Sequence, residues 1–269
     1  MFKILALPAD DFPAIPAMED KIYHKLKCAE LREMISKTIF SVSHDETRYH
    51  LNGIYFESSE KSENTYRMVA TDGHRLAYID RPIFDKQDEP FEKGVIIPRK
   101  AVVELRRLVE EDPQGTIDVC FDSTNIYAHR RNIYLSIRLI NGDYPDYRSI
   151  LQPNADRRIV VGRDSLLHSL KRVSLLANEK SRGVRLSING PVMKISTNNP
   201  ELGEAREEID VDYSGEELEI SFNARYVMDC LNAISTDEVT LEVSDSLSPG
   251  IIRGTGSDDY TCVVMPMRM

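Results

Sequence analysis

The sequence lacks the short motifs that mark many enzymes. It contains no phosphate-binding glycine loop, no His-Glu-x-x-His and no Cys-x-x-Cys. Asp72 and His74 could form an acid–base pair, but neither a nucleophile nor a set of metal ligands accompanies them. We therefore predict a protein that is not an enzyme and that uses no cofactor and no metal.

Long hydrophobic runs and clustered cysteines are also missing. No stretch of about 18 apolar residues occurs, so no membrane span is predicted. The apolar N-terminal stretch is too short for a signal peptide, and acidic residues follow it closely. The four cysteines lie far apart without metal-ligand spacing, which is typical of reduced thiols in a cytoplasmic protein.

Positive charge is in the minority. The chain has 34 Lys and Arg against 44 Asp and Glu, a net charge of −10. Such a surface should not on average bind DNA tightly, because phosphate contacts need Lys and Arg. A protein that surrounds DNA without gripping it is compatible with this composition if its positive charge is concentrated on one face.

The most informative stretch is Thr-Asp-Gly-His-Arg-Leu at residues 71–76. It lies between two short runs of apolar residues. Asp-Gly in this setting predicts a β-hairpin, because glycine adopts a positive φ without a Cβ clash. A plain turn needs only Asp72 and Gly73, whereas this one also presents His74 and Arg75.

Two further motifs follow in the chain. They are Tyr144-Pro145-Asp146-Tyr147-Arg148 and Val263-Val264-Met265-Pro266-Met267-Arg268. Together with residues 71–76, and in this order, they closely resemble the bacterial DNA polymerase III beta subunits, the sliding-clamp family. The resemblance runs from about residue 3 to residue 269. Members of that family have three similar domains, and this chain resembles only the last two.

The resemblance implies an α+β fold with two tandem DNA-clamp domains, each with two helices packed on antiparallel sheets. Residues 1–20 are expected to be a remnant strand, at Phe2–Leu7, and the linker of a missing first domain. Residues 21–154 are then a middle-domain-like clamp domain, and residues 155–269 a C-terminal-domain-like one.

The hydrophobic pattern predicts the same duplication. Apolar residues three or four apart predict helices that begin near Cys28, Pro98, Asp164 and Asn223. Strands are predicted between them, among them Tyr49–Phe56, and Asn-Gly at residues 189–190 predicts a hairpin. Because the order strand, helix, strands, helix, strands occurs twice, we interpret the chain as a duplicated domain.

The family binds short linear peptides of DNA polymerase subunits, clamp loaders and repair proteins between its second and third domains. The resemblance, carried over position by position, implies an adaptable apolar groove with a few polar side chains. Its residues are Leu51, Thr71, Gly73, His74, Arg75, Leu76, Pro145, Ser149, Ile150, Asn223, Tyr226, Leu247, Val263, Val264, Met265, Pro266 and Met267. Ser149 stands where an arginine is common, and Ser181 stands where some relatives have an aromatic residue.

In the family, two helices per domain line the central hole of a ring around double-stranded DNA. The residues that would face DNA are Lys27, Arg32, Lys37, Arg48, Tyr49, His50, Arg99, Lys100, Arg106, Arg107, Lys171 and Arg172. The acids of Glu204–Asp212 are then expected on the outer surface. A merely solvated helix face is the alternative for the basic residues, and packing at the start of a strand is the alternative for Tyr49 and His50.

The family's rings contain six domains, so a two-domain chain would need three copies. We therefore expect a homo-oligomer, a trimeric ring, with a monomer or an open chain as the alternative. The interface is expected to contain Ile133, Tyr134, Leu139, Leu175 and Leu176. The predicted function is a processivity factor that encircles DNA without sequence preference and tethers its partners. The alternative is a peptide-binding module that does not encircle DNA.

Overall fold

A computed structural model describes residues 1–9, 21–62, 64–84, 93–151 and 156–268. The described chain folds into two units with the same order of elements, βαββββαβββ. The first unit contains β1 His24–Lys27, α1 Cys28–Thr38, β2 Gly53–Ser58, β3 Tyr66–Thr71, β4 Arg75–Arg81, β5 Val95–Pro98, α2 Arg99–Glu110, β6 Thr116–Phe121, β7 Asn125–Arg130 and β8 Ile133–Arg138. The second unit contains β9 Arg157–Gly162, α3 Arg163–Val173, β10 Gly183–Asn189, β11 Val192–Asn199, β12 Gly203–Asp212, β13 Leu218–Asn223, α4 Ala224–Ala233, β14 Glu238–Val243, β15 Gly250–Gly254 and β16 Tyr260–Val264.

One large antiparallel sheet crosses from the first unit to the second. Its twelve strands have the order β13-β10-β11-β12-β9-β14-β15-β16-β4-β3-β2-β5, and a separate sheet has the order β1-β6-β7-β8. The connection between the units is the pairing of β16 with β4, in which Tyr260 lies opposite Ile79 and Val264 opposite Arg75. Backbone hydrogen bonds therefore hold the two units together at this junction.

The four helices pack into the hydrophobic core through their apolar faces, as the spacing of apolar residues predicts. Each buried Leu, Ile, Val or Met side chain contributes about 1.5–3 kcal/mol relative to exposure. The buried apolar residues are Leu31, Met34 and Ile35 on α1; Val102, Leu105, Leu108 and Val109 on α2; Leu166, Leu167, Leu170 and Val173 on α3; and Val227 and Leu231 on α4. The predicted start of a helix near Asn223 is confirmed, and the Asn223 side chain caps α4 by accepting a hydrogen bond from the Arg225 N–H at 3.0 Å.

One predicted strand is absent, and another begins later than predicted. Residues Phe2–Leu7 form no strand and are exposed, and no described strand lies beside them to satisfy their backbone groups. Tyr49 and His50 do not start a strand either; they lie in a 3₁₀ segment, Glu46–Leu51, and β2 begins at Gly53. Asp45 caps this segment by accepting a hydrogen bond from the Thr47 N–H at 3.0 Å.

Other predicted features agree with the structure. The hairpin at residues 189–190 is confirmed, since Asn189 pairs with Val192 and Gly190 has a φ of 55°. None of the helices in the described ranges is long and apolar enough to cross a membrane. The predicted linker before residue 21 and the predicted boundary between residues 154 and 155 lie outside the described residues, apart from residues 1–9.

Candidate peptide groove and basic helix faces

The turn at residues 71–76 is fixed by its own side chains. The Asp72 carboxylate accepts hydrogen bonds from the N–H groups of His74 and Arg75 at 2.9 and 3.0 Å. Gly73 has a φ of +88°, and a Cβ there would lie 2.7 Å from an Arg48 guanidinium nitrogen. The turn therefore needs glycine for its backbone, and a side chain at this position would also displace the Arg48 guanidinium.

Arg75 joins this turn to the second unit. Its Nη1 lies 2.5 Å from the Asp229 carboxylate on α4, and its Nε lies 3.1 Å from Asp72. Its guanidinium also donates to the carbonyl of Phe40 and lies 4.5 Å from the Tyr226 ring centroid. Only 10% of the side chain is exposed. Arg75 thus holds the turn against α4, and its predicted role as a polar group of the groove stays a prediction.

The surroundings of Arg75 favour its charged form. Burial alone would lower the pKa of the guanidinium, but the hydrogen bond to Asp229 and the charges of Asp72 and Asp229 raise it above its ordinary value. Arg75 is therefore a permanent cation at the junction, balanced by two carboxylates that belong to different units.

An apolar cavity of about 560 Å³ opens beside the last strand. Three predicted groove residues line it: Ser149 and Ile150, from the segment between the units, and Met265, directly after β16. Residues that the sequence did not single out complete the lining, namely Asp156, Ser244, Ser248 and Pro249. The predicted residue Leu247 is 62% exposed in the loop next to Ser248.

A second cavity of about 490 Å³ lies at the turn. The predicted residues that line it are His74, Arg75, Asn223, Tyr226 and Arg48. It adjoins the apolar cavity, because the Met265 N–H donates to the His74 carbonyl at 2.9 Å and each of these residues lines one cavity. The structure therefore brings predicted groove residues from both units together as two neighbouring depressions.

Four predicted groove residues are buried. Leu51, Leu76, Val263 and Val264 are 4%, 3%, 1% and 0% exposed. Val263 and Val264 lie in β16, a central strand between β15 and β4. Met265, which is 38% exposed, is where the chain leaves the sheet. None of the four buried residues lines either cavity.

The cavity-lining residues that the sequence analysis missed are brought to the site by contacts between distant parts of the chain. Ser248 and Leu247 belong to a turn in which the Asp245 carboxylate accepts from both of their N–H groups, at 2.8 and 2.7 Å. The Ser- and Pro-rich composition of residues 244–250 signals a loop between two predicted strands. Its position beside Ile150 becomes visible only in the folded chain.

Many of the basic residues predicted to face DNA are paired with acids. The pairs are Lys37 with Glu33 at 2.8 Å, Arg48 with Asp45 at 3.1 Å, Arg106 with Glu110 at 3.3 Å, Arg107 with Glu104 at 2.8 Å and Arg172 with Glu207 at 2.5 Å. Lys37 is only 16% exposed and lies 5.1 Å from the Tyr260 ring centroid, so it offers little surface to a phosphate. The helix faces consequently carry less net positive charge than their Lys and Arg content suggests.

The other predicted DNA-facing residues differ in exposure. Arg32, Tyr49, Arg99, Lys100 and Lys171 are exposed, and Lys27 and His50 are half-buried. The expectation that the acids of Glu204–Asp212 all lie away from the helices is wrong for Glu207. The Glu207 carboxylate accepts two hydrogen bonds from Arg172 on α3, and these lower its pKa to about 2.

Three of the five predicted interface residues are exposed, and two of these lie on an edge strand. β8 is the last strand of its four-stranded sheet, and its residues Ile133 and Tyr134 are 38% and 54% exposed. Leu175 is 77% exposed after α3, whereas Leu139 and Leu176 are half-buried. Within the described ranges, no group of three or more His, Cys, Asp or Glu side chains could hold a metal ion.

The duplicated unit and the sheet that crosses the junction define a tandem DNA-clamp fold. Family models of the DNA polymerase III beta subunit match the chain, the central domain at residues 25–146 and the C-terminal domain at residues 148–268. The chain is 41% identical over 268 residues to the beta sliding clamp of Escherichia coli strain K12, and 39% identical over 268 residues to that of Pseudomonas putida. Each alignment covers 100% of this chain and 71% of the relative.

A solved structure of a sliding clamp has the same fold as this chain. The sliding clamp of Pseudomonas aeruginosa bound to griselimycin superposes with a TM-score of 0.89 at 36% identity, covering 98% of this chain and 70% of that chain. The protein therefore belongs to the bacterial DNA polymerase III beta subunit family, the sliding clamps.

Proposed function

We propose that this protein is a non-catalytic processivity factor of the bacterial cytoplasm that encircles double-stranded DNA and tethers DNA polymerase subunits, clamp loaders and repair proteins. The observation that carries the proposal is the pair of adjoining cavities at the junction of the two units, which meet where Met265 contacts His74. A partner would attach there through a short linear peptide.

The chemistry of the groove suits such a peptide. Ile150, Pro249 and Met265 offer an apolar surface that can receive Leu or Phe side chains, and the unbranched Met265 side chain can adapt to either. Asn223 and Tyr226 offer polar groups on the other side of the Met265–His74 contact. Apolar anchors in a pocket with few polar groups are the usual source of peptide affinity.

The groove is tested with a labelled Leu- and Phe-rich peptide in fluorescence anisotropy. The double variant Ile150→Ala with Met265→Ala should weaken binding by about tenfold or more, since it removes two apolar contacts from one pocket. The control is Ile22→Ala with Leu202→Ala, two exposed apolar residues outside both cavities. Equal affinity of the two double variants would contradict the site.

The proposal that the protein encircles DNA depends on the charges of the helix faces. Their basic side chains are largely balanced by neighbouring acids, which favours weak, screened attraction to a duplex over tight phosphate contacts. A clamp loaded by its loader should remain on nicked circular duplex and slide off a linear duplex of the same length. Equal retention on both DNAs would favour a peptide-binding module that does not encircle DNA.

The ring would be closed by edge strands. β8 occupies in the first unit the place of β16 in the second, and β12 occupies the place of β4. β16 pairs with β4, whereas β8 is an edge, and β12 is paired on its far side only at Val211 and Asp212 within the described chain. We infer that β8 of one copy pairs with β12 of the next, beside Leu175. Light scattering should give the mass of three chains at micromolar concentration, and the mass of one chain would contradict the ring.

A further inference from the structure

Two of the four cysteines come together in the core of the folded protein. Cys230 lies on α4 and Cys262 on β16, and both side chains are 0% exposed. Because α4 packs directly against β16, the Cys230 thiol lies beside the Cys262 thiol. Both are free thiols, as are Cys28 and Cys120 in the first unit. Folding therefore brings together two thiols that β14 and β15 separate along the chain.

The thiol pair belongs to a hydrogen-bonded chain that crosses the junction between the units. The Cys262 thiol donates to the Tyr260 hydroxyl at 3.1 Å. Tyr260 is 3% exposed, and its hydroxyl donates to the Lys37 carbonyl on α1 at 2.9 Å. On α4, the neighbouring residue Asp229 binds Arg75 of the first unit. The two sulfur atoms therefore lie where elements of both units meet.

The surroundings keep the pair in its thiol form. Burial and the neighbouring Cys262 thiol raise the pKa of Cys230 well above its ordinary value. Burial also raises the pKa of Tyr260, so its hydroxyl stays neutral and accepts from Cys262. Since the thiolate is the form that attacks an oxidant, the closed core reacts slowly. Oxidation therefore requires a transient separation of α4 from β16 that lets water reach the sulfur atoms.

We propose that Cys230 and Cys262 form a redox-sensitive pair, which a hydroperoxide converts into a disulfide that fastens α4 to the junction strand β16. With hydrogen peroxide, the first thiolate attacks one oxygen, the O–O bond breaks, and a sulfenic acid and water are formed. The second thiol then attacks the sulfenic sulfur, the S–S bond forms, and a second water leaves. The two thiols lose two electrons and two protons, and the peroxide takes them up.

The disulfide would act on the junction and not on a ligand. It closes a loop that contains β14 and β15, and it ties α4 to the strand that pairs with β4 of the first unit. Such a crosslink restricts the unfolded chain and thereby stabilises the folded one. A dithiol would reverse it by exchange, as is usual for disulfides of cytoplasmic proteins. The proposal depends neither on peptide binding nor on the ring.

The test follows the thiols of the full chain during treatment with hydrogen peroxide. After catalase has removed the oxidant, the protein is unfolded, its free thiols are alkylated, and its peptides are mapped by mass spectrometry. Cys230 and Cys262 should leave the alkylated pool together and appear in one disulfide-linked pair of peptides. Urea below the unfolding transition should accelerate this loss, because opening of the core exposes the thiols.

The stability of the oxidised protein gives a second measurement. Its thermal midpoint should rise by about 5 °C. Dithiothreitol should reverse the rise, and this reversal separates the disulfide from methionine oxidation, which a dithiol does not undo in this way.

Matched variants identify the residues responsible. Cys230→Ala and Cys262→Ala should each abolish the reversible rise in midpoint. The double variant Cys28→Ala with Cys120→Ala should keep it, because it removes only the cysteines of the first unit. Circular dichroism before oxidation shows whether each variant is folded. If one is not, the peptide map of the unmodified protein still decides.

Two results would overturn the proposal. One is the recovery of Cys230 and Cys262 as free thiols or as unlinked sulfinic and sulfonic acids, which is the behaviour of core cysteines that merely pack. The other is a disulfide that contains Cys28 or Cys120, within one chain or between two.

Discussion

The junction between the units and the basic helix faces both pair arginine with carboxylates, but in different surroundings. At the junction, Arg75 is 10% exposed, and its partners Asp72 and Asp229 come from both units. On the helix faces, Arg107 is 67% exposed and pairs with Glu104 on the same helix. Breaking a buried pair leaves an uncompensated charge, whereas an exposed pair contributes little. The same residue types therefore hold the fold in one place and set the surface charge in the other.

Removal of the buried guanidinium should have the largest effect on stability. Arg75→Ala should lower the free energy of unfolding by about 3 kcal/mol, because Asp229 and Asp72 lose their buried cation. Urea unfolding at pH 7 measures it. Arg225→Ala is the matched control, since Arg225 is an exposed arginine that lies 3.9 Å from the same Asp229. Its effect should be about 0.5 kcal/mol or less. Similar losses in the two variants would remove the distinction between the two regions.

The segment that connects the units contains a hydrogen bond whose expected contribution to stability lies between those of the buried Arg75 pair and the exposed ion pairs. The Tyr147 side chain is buried and donates its hydroxyl to Glu57, which is 7% exposed and also accepts from Arg148 at 3.0 Å. Burial and the contact with Glu57 raise the pKa of Tyr147, so it remains a neutral donor at ordinary pH.

Tyr147→Phe removes the hydroxyl that donates to Glu57 and keeps the ring. The free energy of unfolding should fall by about 1 kcal/mol, because Arg148 continues to bind the Glu57 carboxylate. Chemical denaturation at pH 7 measures the change. Tyr134→Phe is the control, since Tyr134 is 54% exposed, and it should change stability by a few tenths of a kcal/mol at most. A loss as large as that of Arg75→Ala would mean that the Tyr147 hydroxyl contributes as much to the free energy of unfolding as the Arg75 pair, and would contradict the expected order of the two effects.

Glu33 on α1 allows a test by pH. Burial alone would raise the pKa of this carboxyl, but hydrogen bonds and charges from Arg81 and Lys37 lower it from 4.5 to about 2. A folded-state pKa below the unfolded value stabilises the protein above about pH 4.5, and this contribution is lost as the pH falls toward 2. Glu33→Gln should therefore cost about 1 kcal/mol at pH 7, because the group is partly exposed and its interactions are screened.

The difference between the protein and Glu33→Gln is the quantity to follow. It should shrink steadily between about pH 5 and pH 2, as the Glu33 carboxyl of the unmodified protein gains its proton. Denaturant unfolding at a series of pH values measures it. A difference that stays constant through this range would show that the Glu33 contacts stabilise α1 without depending on its charge.

Local features of the fold were predictable from the sequence, and the roles of several residues were not. The Asn223 cap and the Asp-Gly turn depend on neighbours within a few residues, so residue types alone indicate them. Arg75 was predicted as a polar group of the groove, and its pair with Asp229 was not predicted because the two residues are distant in sequence. Val263 was predicted as a groove residue, and its burial was not predicted because the neighbouring strand β4 belongs to the other unit. Long-range pairing thus decided which apolar and charged residues remain exposed.

The smallest effect is expected on DNA binding. It tests whether an ion pair on a helix face keeps the arginine from contacting a DNA phosphate. Glu207→Gln weakens the two hydrogen bonds that hold Arg172 and leaves this guanidinium, 59% exposed, free to approach a phosphate. The slope of log affinity for duplex DNA against log salt should then steepen by about one phosphate contact. Glu208→Gln is the matched control, because Glu208 pairs with Arg206 two residues away on the same strand, and side-chain alternation places both on the face opposite Glu207. Gel-shift titrations over a series of NaCl concentrations should show a steeper slope for Glu207→Gln alone. An equal change in both variants would mean that total charge, and not the release of Arg172, governs the approach of DNA.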